Sequence, residues 1–218
     1  MDRGILSKID YSVLSPPATA ERVLEAAERT RELGFATLCV FPKHVRVART
    51  ILPESKVCAV IGFPLSPTPL QLKVVEVEFC IDSEAGELDV VADLSAVKEG
   101  DWKKVEEELR TIREVADDRI LKLIVECCYL TEEEKKTLCR LAADTGWDFV
   151  KTSTGYGPYG ATIEDVELLK SACNGRVQVK AAGGIRTLEA ARKFLEAGAE
   201  RIGTSSAVKI AEELLHGR

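Results

Sequence analysis

The stretch 176–204 reads RVQVKAAGGIRTLEAARKFLEAGAERIGT and contains one complete strand, helix and second strand. Short apolar runs at 176–181 and 200–204 predict the two strands, and an amphipathic segment at 187–198 predicts the helix between them. Thr187 is suited to cap the start of that helix, and Gly198 is suited to end it. Because strands joined through a helix run parallel, this unit predicts a parallel sheet covered by helices.

The same alternation recurs along the whole chain. Strands are predicted at about 6–12, 36–41, 57–62, 87–93, 120–126, 147–152, 176–181 and 200–204. Helices are predicted at about 18–33, 43–52, 68–85, 102–116, 131–145, 162–173, 187–198 and 205–216. Eight such units in 218 residues predict one α/β domain, 1–218, folded as a closed (β/α)8 TIM barrel, with an open doubly wound sheet as the alternative.

The composition excludes several classes of protein. Hydrophobic residues make up 45% and charged residues 30%, and every apolar run is shorter than the ~18 residues of a membrane helix, so no membrane partner is expected. The net charge is -6 and no Lys/Arg run exceeds two residues, which argues against nucleic-acid binding. The N-terminal sequence has no secretory-signal pattern and the seven cysteines are scattered, so a cytoplasmic, reducing location is expected.

Several predicted strands carry ionisable residues on the face that should be apolar. Inward positions of a barrel strand are normally bulky and apolar, yet here the pattern puts the following residues on that face: Asp10, Asp89, Lys122, Lys151 and Lys180. For any single residue a solvent-exposed strand end is an alternative interpretation, and it applies most to Asp93 and Glu126, the last residues of their predicted strands. A lysine in the middle of a strand is buried, so it needs a partner.

The charges on this face nearly balance, with Asp10 and Asp89 against three lysines. A lysine crowded by two other ammonium groups in a poorly solvated barrel mouth is expected to have a lowered pKa. An amine that is partly neutral at pH 7 attacks carbonyl carbon, so the pattern indicates Schiff-base chemistry.

Two glycine-containing turns predict a phosphate site. Gly183-Gly184-Ile185-Arg186 follows strand seven and Gly203-Thr204-Ser205-Ser206 follows strand eight, and barrels commonly bind phosphate at these two loops. The segment 152–155 is a third candidate source of donors, and tight turns with helix caps are the alternative interpretation. No G-x-G-x-x-G fingerprint is present and only two histidines occur, so no nicotinamide, other cofactor or metal is expected.

With these residues in view, the chain resembles the deoxyribose-phosphate aldolases, a family of class I aldolases. The similarity runs over nearly the whole length and is carried by Ile9-Asp10, VIGFPL at 60–65, ELDVV at 87–91, Leu121-Lys122, FVKTSTG at 149–155, VKAAGGIRT at 179–187 and RIGTSS at 201–206. The resemblance implies a TIM-barrel lyase without a cofactor that cleaves 2-deoxy-D-ribose 5-phosphate reversibly into acetaldehyde and D-glyceraldehyde 3-phosphate. It also implies a homodimer or a higher assembly.

The resemblance assigns roles residue by residue. It makes Lys151 the Schiff-base lysine, Lys180 the neighbouring lysine that joins proton transfer, and Asp89 the acid/base that acts with a water. Asp10 and Lys122 become a supporting polar network. The phosphate site implied by the family pattern comprises Gly155, Gly183, Gly184, Arg186, Gly203, Ser205 and Ser206.

The chain departs from the family pattern at three positions near the site. Tyr11 stands where a histidine is frequent, Asp93 where an asparagine is frequent, and Tyr156 where some members have a lysine. Tyr11 is expected to point outward, Asp93 is expected to add negative charge near the mouth, and Arg186 then becomes the main cation for phosphate.

Three alternative functions remain open at this stage. One is a Schiff-base lyase for another sugar phosphate, and another is a barrel that binds a phosphate ligand without turnover. A third is a nucleophilic-cysteine enzyme built on Cys127 or Cys128, although neither histidine falls in a predicted upper loop.

Overall fold

A computed structural model describes residues 3–65 and 67–217 as a closed barrel of eight parallel strands. The strands are β1 (Ile9–Val13), β2 (Thr37–Val40), β3 (Val57–Ile61), β4 (Glu87–Val91), β5 (Ile120–Ile124), β6 (Phe149–Lys151), β7 (Gln178–Ala182) and β8 (Arg201–Thr204). Each strand pairs with the next in the chain, and β8 closes the barrel against β1. The predicted TIM barrel is therefore confirmed, and the open sheet is excluded.

Helices surround the barrel. They are α1 (Ala20–Leu33), α2 (Val45–Arg49), α3 (Leu70–Asp82), α4 (Leu94–Glu99), α5 (Trp102–Ala116), α6 (Glu132–Asp144), α7 (Ile163–Cys173), α8 (Leu188–Glu196) and α9 (Ala207–His216). Short 3-10 helices occupy Arg3–Lys8, Pro42–His44, Glu54–Lys56 and Cys127–Tyr129. Among the helices of the described residues, none is both long and apolar enough to span a membrane.

The predicted elements differ from the observed ones mainly at their ends. The first strand begins at Ile9 rather than near residue 6, because Arg3–Lys8 is a 3-10 helix. The helix predicted at 43–52 is only the five-residue α2, and α4 was not predicted at all. The sequence suggested that Asp93 is the last residue of a strand. In the structure β4 ends at Val91, and Asp93 caps α4.

Side-chain caps start most of the longer helices where the sequence predicted them. The Thr131 hydroxyl accepts from Glu134 N-H while the Glu134 carboxylate accepts from Thr131 N-H, a complete capping box. Thr162 and Thr187 cap α7 and α8 in the same way, and such a cap contributes about 1 kcal/mol. Each cap follows a strand, so the helix N-termini gather at the carboxyl end of the barrel.

The apolar core lies outside the barrel, between strands and helices. Outward-facing strand residues such as Leu88, Leu121 and Val150 are fully buried in one large cluster with the inner faces of the helices. Inside the barrel the apolar cluster is small, and Cys39, Cys58 and Val60 form its buried part. Charged residues such as Asp89, Lys122 and Lys180 are also fully buried inside the barrel, so the fold places charges at its centre.

Candidate active site

Three lysines converge on the carboxylate of Asp89 inside the barrel. Lys122 Nζ lies 2.9 Å from Asp89 Oδ1, while Lys151 Nζ and Lys180 Nζ lie 2.8 and 2.7 Å from Asp89 Oδ2. Strand register explains the convergence, since Asp89 pairs with Lys122 between β4 and β5, and Lys151 pairs with Lys180 between β6 and β7. All four side chains are buried. The residues that the sequence singled out on the wrong face of the strands thus form one cluster.

Lys180 and Lys122 are held as ammonium ions. Burial alone would lower the pKa of Lys180, but Asp10 and Asp89 outweigh it and hold that pKa well above its usual range. The pKa of Lys122 is raised in the same way, against burial, by Asp89 and other acidic neighbours that include Glu87 and Asp10. Crowding of the ammonium groups predicts that one lysine has a lowered pKa. That prediction does not hold for Lys122 or Lys180, whose pKa values are raised.

The two aspartates are held as carboxylates. Burial would raise the pKa of Asp89, yet Lys122, Lys151 and Lys180 together hold it well below its usual range. Burial also opposes ionisation of Asp10, whose pKa is lowered by Lys180, Lys122 and Arg201. Asp10 and Asp89 are therefore carboxylates that pair with the ammonium groups of Lys122 and Lys180.

A second layer of charge, formed by Glu87 and Arg201, lies below the first. The strand alternation puts Glu87 on the same face as Asp89, whereas Arg201 was not singled out from the sequence. Arg201 Nη1 lies 2.7 Å from Asp10 Oδ1 and 3.5 Å from Glu87 Oε2, and its guanidinium stands 5.4 Å from the Phe149 ring centre. Glu87 also lies 2.5 Å from Lys122 Nζ. The pair adds one cation and one anion, so the excess of one positive charge predicted for the cluster is unchanged.

Lys151 differs from the other two lysines in its access to a cavity. It lines a cavity of about 320 Å³ at the carboxyl end of the barrel, which neither Lys122 nor Lys180 lines. Its Nζ contacts one carboxylate, that of Asp89, and stands 5.8 Å from the centre of the Phe63 ring. A small carbonyl compound in the cavity would therefore meet Lys151 and no other lysine of the cluster.

The far part of the cavity is built from three loops with backbone donors. Its lining includes these residues of the expected phosphate site: Gly155, Gly183, Gly184, Arg186, Gly203 and Ser205. Ser206 lies just outside the lining, where its N-H donates to Thr204 Oγ1 at the start of α9. Two helix N-termini, those of α8 and α9, follow these loops, and helix N-termini favour anions.

Gly183 fits this place because it has no side chain. Its φ of 96° lies in the left-handed region, and a Cβ there would come within 2.9 Å of Gly160 Cα. Gly160 belongs to the loop after β6, and Ala161 N-H donates to the Gly183 carbonyl at 3.0 Å. Loops six and seven are thus locked together backbone to backbone, a contact that the sequence analysis did not identify.

Two of the three residues that depart from the family pattern, Tyr11 and Asp93, lie outside the cavity lining. Tyr11 faces outward, packs edge-on against Phe35 and accepts a hydrogen bond from Arg22. Asp93 caps α4 and pairs with Lys104 at 3.0 Å outside the cavity lining, so the charge expected at the mouth is already paired.

Tyr156 closes one side of the cavity. Its hydroxyl donates to the Leu14 carbonyl at 2.6 Å, which joins the loop after β6 to the end of β1. Its ring packs edge-on against Phe63, with 5.6 Å between ring centres. Tyr156, at the position where some family members have a lysine, therefore forms an aromatic side of the cavity that Lys151 also lines.

Cys127 and Cys128 are poorly suited to act as nucleophiles. Burial raises the pKa of both Cys127 and Cys128, so their thiols stay protonated at neutral pH. His44 does lie directly after β2 at the carboxyl end of the barrel, contrary to the expectation for the histidines, but it does not line the cavity. The nucleophilic-cysteine alternative therefore has little support.

Cys39, Cys58 and Asp89 together offer three ligand atoms within 4.8 Å of one another. Cys58 Sγ donates to Asp89 Oδ1 at 3.1 Å. A metal ion at this point would compete with the three ammonium groups that already surround Asp89. The electrostatics of these residues therefore disfavour a cation site here.

Comparisons with known proteins agree with this geometry. The model of the DeoC/LacD family aldolases matches residues 1–212. The deoxyribose-phosphate aldolase of Thermococcus kodakarensis is 46% identical over 216 residues, which cover 96% of each chain. A solved structure titled "QR15, an Aldolase" is 44% identical, with a TM-score of 0.94 over 97% of this chain and 96% of that one.

A tetrameric deoxyribose-phosphate aldolase from Aeropyrum pernix is similar as well. It is 34% identical, with a TM-score of 0.91 over 99% of this chain and 93% of that one. The family match covers nearly the whole sequence, and the relatives share both the length and the barrel. This chain belongs to the DeoC/LacD family of aldolases.

Proposed function

We propose that this aldolase cleaves 2-deoxy-D-ribose 5-phosphate reversibly into acetaldehyde and D-glyceraldehyde 3-phosphate through a Schiff base on Lys151. One observation carries the proposal: of the three clustered lysines, Lys151 alone lines the cavity, whose far part presents glycine loops and Arg186 suited to a phosphate. The names of its relatives support the choice of this substrate.

The first half of the reaction forms the covalent intermediate. Lys151 Nζ attacks C1 of the open-chain sugar, and loss of water from the carbinolamine leaves a protonated imine. The Phe63 ring, with its centre 5.8 Å from Nζ, is an apolar neighbour of the reacting amine. The ammonium groups of Lys122 and Lys180 are paired with acidic groups while this intermediate forms.

The second half breaks the C2-C3 bond. Asp89, acting through a water, takes the proton of the C3 hydroxyl, and C3 becomes the aldehyde carbon of glyceraldehyde 3-phosphate. The electron pair of the C2-C3 bond moves to the protonated imine, which becomes an enamine. Lys180, which shares Asp89 Oδ2 with Lys151, takes part in returning a proton to C2, and water then releases acetaldehyde.

The phosphate group fixes the sugar in the cavity. Gly155, Gly183, Gly184 and Gly203 let the backbone approach the anion, while Arg186 supplies charge. Ser205 adds hydroxyl and backbone donors at the N-terminus of α9, and Ser206, whose N-H is bonded to Thr204 Oγ1, adds its hydroxyl. The distance from this end to Lys151 selects the chain length of the sugar phosphate, and that selection separates this function from a Schiff-base lyase for another sugar phosphate.

Trapping with sodium borohydride tests the function. The protein is reduced in the presence of acetaldehyde or 2-deoxyribose 5-phosphate, digested, and mapped by mass spectrometry, with Lys151→Leu as the control. We expect one reduced adduct on the peptide that contains Lys151, absent from the control. No adduct on folded protein would favour the phosphate-binding barrel without turnover, and an adduct on Lys180 would reverse the roles of the two lysines.

We also propose that the chain acts in the cytoplasm as a homo-oligomer. The outer face of α3 exposes Leu72, Val75 and Phe79 to between 47% and 57%, at the three- and four-residue spacing of one helix face. An apolar face of this kind fits a second copy of the chain. Sedimentation equilibrium of the wild type against Val75→Glu tests this, with loss of the assembly expected for the variant.

A further inference from the structure

Glu126 is a buried carboxylate beside the cavity that the reaction itself does not use. It follows β5, is only 2% exposed, and does not line the cavity. Within the described residues it accepts hydrogen bonds from Thr154 and Cys128, both of which are neutral. A charge buried among neutral donors is costly to fold, so its surroundings should explain what it does.

The backbone of Glu126 is in an unusual conformation. Its φ of 42° and ψ of 70° lie in the left-handed region, which residues with a side chain rarely adopt. The next residue is anchored, because Cys127 N-H donates to the Thr152 carbonyl at 2.8 Å. This turn takes the chain away from β5 and brings the carboxylate under the loop that follows β6.

That loop rests directly on the carboxylate. Thr154 N-H lies 3.3 Å from both carboxylate oxygens of Glu126, and the Thr154 hydroxyl donates to Oε2. The same hydroxyl oxygen accepts from Tyr156 N-H at 3.0 Å. A Cβ on Gly157 would come within 3.3 Å of the Glu126 carboxyl group, so the backbone of the loop passes close to that carboxyl group.

These bonds decide which way the loop presents its donors. Thr154 N-H points to Glu126 and Tyr156 N-H points to the Thr154 hydroxyl. Gly155 lies between them and lines the cavity at its phosphate end, and its N-H has no acceptor among the described residues. A carboxylate is suited to this task, since it accepts from the N-H and the O-H of Thr154 together.

We propose that Glu126 is a positioning residue for the phosphate end of the cavity: it fixes residues 154–157 so that Gly155 N-H faces the bound phosphate. The inference rests on the proposed function and adds a residue outside the cavity to its substrate recognition. Thr154 lies between Glu126 and the cavity, so the effect is on geometry and not on the reacting atoms.

Glu126→Gln tests the inference with two substrates that differ only in the phosphate, 2-deoxyribose 5-phosphate and 2-deoxyribose. The variant keeps the shape but turns an amide donor toward the donors of Thr154. We expect the KM for the phosphorylated sugar to rise about tenfold, with kcat within about threefold. The kcat/KM for the unphosphorylated sugar should stay within about twofold.

Two further variants separate positioning from folding. Thr154→Val removes the hydroxyl that connects Glu126 to Tyr156, and it should reproduce the selective rise in KM. Glu108→Gln changes another buried carboxylate, which pairs with Lys73 at 2.8 Å outside the Lys151 cavity. It should lower the melting temperature and leave the ratio of the two substrates unchanged.

An equal loss with both substrates, or no loss with either, would overturn the inference. If Glu126→Gln does not fold, Thr154→Val decides by the same criteria. If the wild type cleaves neither sugar, the proposed function is wrong, and calorimetric titration with inorganic phosphate then tests the positioning alone. Weaker phosphate binding in Glu126→Gln than in the wild type would support it, and equal binding would overturn it.

Discussion

Lys180 and Asp10 form a salt bridge of 2.5 Å inside the barrel, and neither side chain reaches solvent. Lys180 also holds Asp89 Oδ2 at 2.7 Å, so one ammonium group joins the two aspartates of the cluster. Because Asp10 and Asp89 raise its pKa above the usual range, Lys180 is an ammonium ion at neutral pH. The pair thus gives Lys151 a fixed electrostatic environment.

Lys180→Met removes that cation, and we expect both activity and stability to fall. The kcat should drop by about a hundredfold or more, since a proton-transfer partner is lost. The free energy of unfolding should fall by about 3–5 kcal/mol, because Asp10 and Asp89 lose a buried counter-ion. Steady-state cleavage and urea denaturation measure the two effects. Lys209→Met, at an exposed lysine on α9, is the control and should change neither.

Arg201→Met tests the second layer of charge. The variant leaves Asp10 Oδ1 and Glu87 without their arginine, so we expect a loss of about 3–5 kcal/mol in the free energy of unfolding. Adding Glu87→Gln removes one of the two anions that have lost the arginine, and it should restore part of that loss. Urea denaturation of the two variants measures this, and a double variant less stable than Arg201→Met would show that the layer is not held by charge pairing.

Arg201 also shows where sequence interpretation reaches its limit. The alternation of strand residues was enough to predict the barrel and to select Asp10, Asp89, Lys122, Lys151 and Lys180, because an ionisable residue in mid-strand is conspicuous. Arg201 and Glu87 begin their strands, where a charged residue normally meets solvent. Their burial depends on closure of β8 against β1, which no local pattern reveals.

The contacts between loops could not be predicted from the sequence either. Glu126 was considered only as a possible strand end, and its role depends on a left-handed turn that a glutamate rarely adopts. Gly160 and Gly183 are far apart in sequence and meet backbone to backbone. The glycine loops that line the cavity could be predicted from their own sequence, whereas the residues that hold these loops in place act through tertiary contacts.

The ionic cluster should make the free energy of unfolding fall at both acidic and alkaline pH. The folded-state pKa values of Asp10 and Asp89 lie below those of the unfolded chain, so their contribution is full above about pH 4 and is lost as the pH falls further. The pKa values of Lys122 and Lys180 are raised, so their contribution is full below about pH 10 and is lost as the pH rises further.

Asp10→Asn separates the contribution of Asp10 to stability at acidic pH from that of the other carboxylates of the protein. We expect the variant to be less stable than the wild type at neutral pH, and the difference to shrink as the pH falls from about 5 to about 2. Urea denaturation at each pH measures it. A difference that stays constant over this range would mean that Asp10 does not contribute through its charge.

Gly160→Ala tests the backbone contact that locks loops six and seven. The added Cβ would come within 2.5 Å of the Gly183 carbonyl carbon, so Gly183 must shift and carry the phosphate-binding backbone with it. We expect the KM for 2-deoxyribose 5-phosphate to rise about tenfold and stability to fall by about 1–3 kcal/mol. Gly175→Ala is the matched control: its φ is 73° but no atom lies within 4 Å of the new Cβ. It should cost about 1 kcal/mol of stability and leave the KM unchanged. Equal KM values for the two variants would show that the phosphate loop does not depend on this contact.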